Sequence, residues 1–125
     1  MSTSASTPFR EILKQATNGI PGAVGGALAA GDGELLDAWT EWDSDDWAFL
    51  TAHVGIVVNH VRCAMHTFHF GDVEWVSMHY SGLDLVIEQL GDKYFVLLAC
   101  KPPMNLGMTT DLLRSVAQSL REEMF

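Results

Sequence analysis

Histidine and cysteine are the residues here most able to hold a metal or attack a substrate, and His53, His60, Cys63, His66 and His69 all fall within one short stretch. His60, Cys63 and His66 follow at intervals of three, which places them on successive turns of a helix. A zinc site needs three or four ligands converging at about 2 Å, and tight Cys-x-x-Cys pairs are common in its structural forms. This set drifts around the helix instead, and no Cys-x-x-Cys pair occurs. Cys63 beside His60 would be a nucleophile only with a lowered thiol pKa and an oriented base in a cleft. A cysteine on the apolar stripe of a helix is instead a packing residue. The expectation is therefore no catalytic residue, no cofactor and no metal.

Two further clusters invite a chemical reading. The glycines between Gly19 and Gly33 are not followed by Gly-Lys-Ser/Thr and introduce a strand rather than a helix, so they do not form a phosphate loop. Trp39, Trp42 and Trp47 lie close to Asp43, Asp45 and Asp46. Tryptophan ringed by charge is common in binding hot spots, which makes Trp39, Trp42, Asp43, Asp45 and Asp46 a candidate partner-binding patch. The alternative is that Trp47 simply docks on a sheet.

Charge narrows the partners. The chain has 125 residues with 16 acids against seven bases, a net charge of −9, and no Lys or Arg between Lys14 and Arg62. Phosphate neutralisation needs clustered basic residues, so nucleic acid is not an expected partner. A cationic protein surface fits better. The start, Met-Ser-Thr-Ser-Ala-Ser-Thr, has neither the basic nor the apolar part of a signal peptide. With only Cys63 and Cys100, the expected setting is cytoplasmic with reduced thiols. Uninterrupted apolar runs fall well short of the roughly 20 residues that span a bilayer, so no membrane insertion is expected.

The elements that position these residues follow from periodicity and punctuation. Residues 1–7 read as a flexible tail and 8–125 as one domain, with Thr7 and Pro8 also suited to cap and open a helix to about Thr17. Asn18-Gly19-Ile20-Pro21-Gly22 stops it. A strand of small residues, Ala23 to Ala30, then joins a second over Glu34 to Thr40 through the hairpin signal Gly31-Asp32-Gly33. Ser44, with Asp45 and Asp46 behind it, reads as the cap of a long helix reaching about Thr67. A meander follows, Asp72 to Tyr80, Leu83 to Glu88 and Lys93 to Cys100. Its middle strand alternates Leu83, Leu85 and Ile87 with Asp84 and Glu88, whereas the last is almost continuously apolar and so buried on both faces. Lys101-Pro102-Pro103 ends pairing, and a final helix, capped by Asn105 or Thr109, turns Leu113, Val116, Ala117, Leu120 and Met124 inward.

The second helix is apolar on two sides. Leu50, Val54, Val58, Val61 and Met65 form one stripe, and Phe49, Ile56, Val57, Cys63 and Ala64 another. A helix wet on one side needs only one such stripe. So short a chain has little material to cover both, which points to a second subunit.

This order of elements, with Ile20-Pro21-Gly22-Ala23-Val24-Gly25-Gly26-Ala27-Leu28, Gly31-Asp32-Gly33-Glu34 and Asn105-Leu106-Gly107-Met108, resembles the Roadblock family of dynein light chains and bacterial MglB-like GTPase regulators from about Pro8 to Phe125. The resemblance implies an α+β fold of order α-β-β-α-β-β-β-α. Its five-stranded antiparallel sheet, profilin-like or longin-like, carries helix 2 on one face and helices 1 and 3 on the other. It further implies a homodimer, or a heterodimer with another Roadblock protein, whose interface draws on Phe49, His53, Ile56, His60, Cys63, Val73, Trp75 and Ser77. The implied function is regulation or scaffolding of a small Ras-like, MglA-like GTPase without an active site of its own. Arg10, Arg62, Arg114 and Arg121 all fall in predicted helices, so hydrolysis would be stimulated, if at all, without an arginine finger. His53, His60 and the three tryptophans depart from the family's alanine-rich second helix. Two other readings stand beside this one. A profilin-like or PAS-like ligand sensor would need a hollow core, for which the small side chains of Ala23 to Ala30 leave scope. A structural motor light chain is the third.

Overall fold

A computed structural model describes residues 7–125, and residues 1–6 of the tail expected over 1–7 lie outside them. Thr7 is not part of a free tail. Its hydroxyl oxygen accepts the Arg10 N–H at 3.0 Å and its O–H is donated to the Asp37 carboxylate, tying the start of α1 to a neighbouring strand. α1 spans Pro8–Gly19, with Pro8 in the first turn, where a missing N–H is no loss.

β1 (Ala23–Ala30) and β2 (Leu35–Thr40) form the expected hairpin. Gly33 takes φ +92°, a conformation that favours glycine, and the Asp32 side chain accepts the Glu34 N–H at 2.9 Å. α2 spans Ser44–His66, but its cap is Asp43 rather than Ser44. The Asp43 carboxylate accepts the N–H groups of Asp45 and Asp46, a stronger acceptor for free donors at a positive helix end than a hydroxyl. β3 is shorter than expected, Trp75–His79, and is followed by β4 (Asp84–Leu90), β5 (Tyr94–Cys100) and α3 (Leu106–Met124). Asn105 caps α3, accepting the Met108 N–H at 3.0 Å.

All strand pairings are antiparallel, in the order β2-β1-β5-β4-β3. β5 is thus central and buried along almost its whole length, while β2 and β3 are the edges. On one face Leu13 and Ala16 of α1 and Leu113, Val116, Ala117 and Leu120 of α3 pack on Leu28, Val86, Val96 and Leu98. On the other, Trp47, Val54 and Val58 of α2 pack on Val24, Ala27, Leu85, Ile87, Phe95 and Leu97. The Trp47 indole N–H, fully buried, donates to the Gly26 carbonyl at 3.2 Å.

β4 departs from the expected alternation, since Asp84 and Glu88 are buried as well. Each has a partner that compensates it. Asp84 accepts the Met104 N–H at 3.0 Å and lies 3.2 Å from His79 Nδ1, and Glu88 lies 3.6 Å from the Arg121 guanidinium.

Small residues along β1 leave no hollow. A Cβ at Gly25 would lie 2.8 Å from Thr40, and one at Gly26 3.1 Å from Leu98 and 3.3 Å from Leu13. The closest approach joins α2 to the hairpin, because a Cβ on Gly55 would fall 2.4 Å from the Gly33 Cα. The helix is held against the β1–β2 turn by the absence of two side chains.

Taken whole, α2 is long and apolar enough to cross a membrane by length and composition, which its short uninterrupted runs conceal. In the fold it lies along the sheet. Its high hydropathy comes from a stripe turned to the core together with a second turned outward.

Candidate functional site

The outward stripe of α2 is the first part of the site. Phe49 and Ile56 are 69% and 53% exposed, and Val57, His53, His60 and Cys63 lie in the open beside them. Trp47, Val54 and Val58 fix the roll of the helix by burying the opposite side, so this face has no cover among the described residues. The His53 ring packs against Phe49 with centroids 4.4 Å apart, and its Nδ1–H donates to the Phe49 carbonyl at 2.8 Å.

The open edge of β3 is the second part. Among the described residues β3 pairs only with β4, leaving one row of its backbone donors and acceptors without a strand partner. Its register alternates the side chains: Val76 and Met78 oppose Ile87 and Leu85 on the α2 face, while Trp75 and Ser77 oppose Glu88 and Val86 on the α1/α3 face. Of the expected interface residues, the α2 set therefore shares one surface, whereas Trp75 and Ser77 lie along the edge but point to the opposite face. Val73 is half-buried just before the strand.

Between α2 and the β3–β4 hairpin runs a groove of about 300 Å³ lined by Leu50, His53, Val54, Val57, Met78, Tyr80, Leu83 and Leu85. Sequence reasoning passed over Met78 and Tyr80 because they sit beyond the helical stripes, and it passed over Phe68 and Phe70 altogether. Two phenylalanines immediately after a helix, flanked by His66, His69 and Gly71, were the available signal.

The tryptophan and aspartate cluster does not assemble as one patch. Trp39 packs toward the α1/α3 core, Trp47 is fully buried on the α2 side, and Trp42 alone of the three lies open, edge-on to Trp47 at 5.4 Å. Asp43 is engaged as the cap of α2, which leaves Asp45 and Asp46 as exposed acids beside Trp42.

Two titratable groups among the described residues are clearly shifted, and both are buried. Burial, aided by Asp84, pushes the Cys100 thiol up to about 11, which keeps it protonated and unreactive. Burial also raises the Glu88 carboxyl above its usual range, against the opposing pull of Arg121 and Arg114. Among the described residues no group of three His, Cys, Asp or Glu side chains is placed to hold a metal ion. What the geometry offers is surface: an apolar helix face, a groove and an unpaired strand edge on one flank.

No family model matches the sequence, and no curated protein matches it. Solved structures do. The Roadblock/LC7 domain from Streptomyces avermitilis superposes with a TM-score of 0.84 at 15% identity, over 98% of each chain. MglB from Myxococcus xanthus gives a TM-score of 0.84 at 12% identity, over 97% of this chain and 98% of that one. This chain has the Roadblock fold. MglC from Myxococcus xanthus, at 25% identity, superposes on the Roadblock frame with a TM-score of 0.68 over 94% of this chain and 99% of that one. A profilin from Acanthamoeba castellanii shares the architecture more loosely, with a TM-score of 0.59 at 12% identity. The Roadblock frame accounts for the position of the site, since it puts β3 at the sheet edge and α2 alone on its face.

Proposed function

We propose that this Roadblock-type chain is a dimeric, non-catalytic regulator or scaffold that docks a small Ras-like GTPase of the MglA type in the cytoplasm. The observation that carries the dimer is the exposed α2 stripe lying beside the open edge of β3. A second copy, or a sister Roadblock protein, would cover both at once, extending the sheet and burying Phe49 and Ile56. A stable interface of that kind typically removes about 1,200–2,000 Å² or more from water. The likeness to MglB and MglC supports the regulatory reading, and one similar structure, described as MglB with tetrameric arrangement, supports self-association.

Docking of a GTPase is supported by the acidic balance and by the exposed Trp42, Asp45 and Asp46 at the start of α2. No arginine stands on a loop. Arg10 donates to the Ala38 carbonyl at 3.2 Å, Arg62 to that of Asp92 at 3.4 Å and Arg121 to that of Gln89 at 2.9 Å. Arg114, on α3, is exposed, so if GTP hydrolysis is stimulated at all, the reading is that the partner's own catalytic groups are repositioned rather than supplemented by a finger. The ligand-sensor alternative loses its footing in the filled β1 region, where a Cβ added to Gly25 or Gly26 would meet a neighbour at 2.8 or 3.1 Å.

The test is single-turnover GTP hydrolysis by an MglA-type GTPase, together with sedimentation of its GTP- and GDP-loaded forms, with this protein and with its Arg→Ala variants. State-dependent binding and undiminished stimulation by every arginine variant support the reading. Failure to bind either form contradicts GTPase docking, and loss of stimulation with binding intact in one arginine variant contradicts the absence of a finger.

A further inference from the structure

Two phenylalanines just past α2 have no cover among the described residues. Phe68 and Phe70 are 59% and 79% exposed, and their rings stack with centroids 5.8 Å apart. Between and after them the backbone turns sharply, with φ 57° at His69 and 96° at Gly71. Such a pair of rings held in water is expected at a contact surface.

We infer that, in the pair of chains proposed above, Phe70 of one copy, with Phe68 stacked on it, enters the groove between α2 and β3 of the other. The inference rests on that dimer reading and adds the partner's contribution to the site. The first half of α2 lies beside the end of β3, since Leu50, His53 and Val57 share the groove with Met78, Tyr80 and Leu83. The second half lies beside the approach to β3, where Asn59, Cys63 and His66 share a cleft with Asp72 and Val73. α2 and β3 therefore run antiparallel.

Identical open edges paired about a two-fold axis also run antiparallel. With the axis near Ser77, midway along Trp75–His79, each copy's segment between α2 and β3 falls beside the other's Tyr80 and Leu50. Phe70 cannot reach its own groove, which lies at the opposite end of its own α2, but it stands over the other copy's. Charge favours the same arrangement. α2 opens with Asp45 and Asp46, whereas its second half carries His60, Arg62 and His66 and no acid, so an antiparallel copy sets acidic start against basic end. The occupied groove would then be closed by residues from both copies.

Isotope-filtered NMR on a mixture of labelled and unlabelled full chain tests this directly. The expected result is intermolecular NOEs from the Phe70 ring to the Met78 and Leu83 methyl groups. Substituting F68A and F70A together should weaken self-association about tenfold or more, while F125A, which removes an equally open ring at the end of α3, leaves it unchanged. Dimers lacking those NOEs, and unaffected by the double substitution, would overturn the inference and leave the dimer standing. A chain that stays monomeric would overturn the dimer reading beneath it.

Discussion

At the scale of single residues, the tightest constraint is Gly55 against Gly33. Adding one methyl to Gly55 puts a carbon 2.4 Å from the Gly33 Cα, and backbone cannot yield as a side-chain end would. G55A is expected to destabilise the fold by roughly 1–3 kcal/mol in chemical denaturation, whereas G82A, with nothing near its Cβ position, should lose far less. The two cysteines give a second contrast. Cys63 is exposed in the single chain and should react with a thiol reagent in the folded I56D monomer, while Cys100, buried and with its thiol at about 11, should react only on unfolding. Glu88 gives a pH signature. Its carboxyl is raised in the folded chain, so above pH 4.5 the native state holds its proton more firmly than the unfolded chain does. That contribution is present at low pH and fades as pH rises through the folded value. E88Q should therefore gain stability relative to the parent as pH climbs through that window, read from paired denaturation curves. Of these, the burial of Cys100 was legible, since it ends a strand read as buried on both faces, but the Gly55 contact and the burial of Glu88 were not. A glycine in mid-helix and an acid in an alternating strand acquire their meaning from neighbours far along the chain.

At the scale of elements, the sequence was informative where a local signal was strong and less so where the environment decided. Thr7-Pro8, Asp32-Gly33 and Asn105 each marked their boundary because their chemistry acts within a few residues. The cap of α2 fell one residue from the expected position, since Ser44 and Asp43 are both capping types and only the orientation of the Asp43 carboxylate distinguishes them. β4 misled because alternation assumes one wet face, and α3 covers the face on which Glu88 finds Arg121. The double stripe of α2 was the most telling feature in the sequence, and the structure turns its second side outward. The tryptophans show the limit of proximity in sequence, because Trp39 and Trp47 end on opposite faces of the sheet. A charge on the outward stripe should act on association alone. F49D is expected to leave the circular dichroism spectrum and melting of the isolated chain little changed, because that side chain is 69% exposed, yet to abolish the dimer.

For the whole molecule, one sheet carries α1 and α3 on one side and α2 on the other, and its β2 edge is tied to α1 through Thr7 and Asp37. Among the described residues the β3 edge has no such cover, and the exposed face of α2 adjoins it. Both gaps lie on the same flank, so one copy related by a two-fold axis fills them together. Sedimentation equilibrium of the full chain at micromolar concentration, beside the I56D variant, tests this most directly. The account expects a species of twice the 13.7 kDa chain mass for the parent and a folded single chain for I56D. A parent that sediments as a single chain even at high micromolar concentration would contradict it.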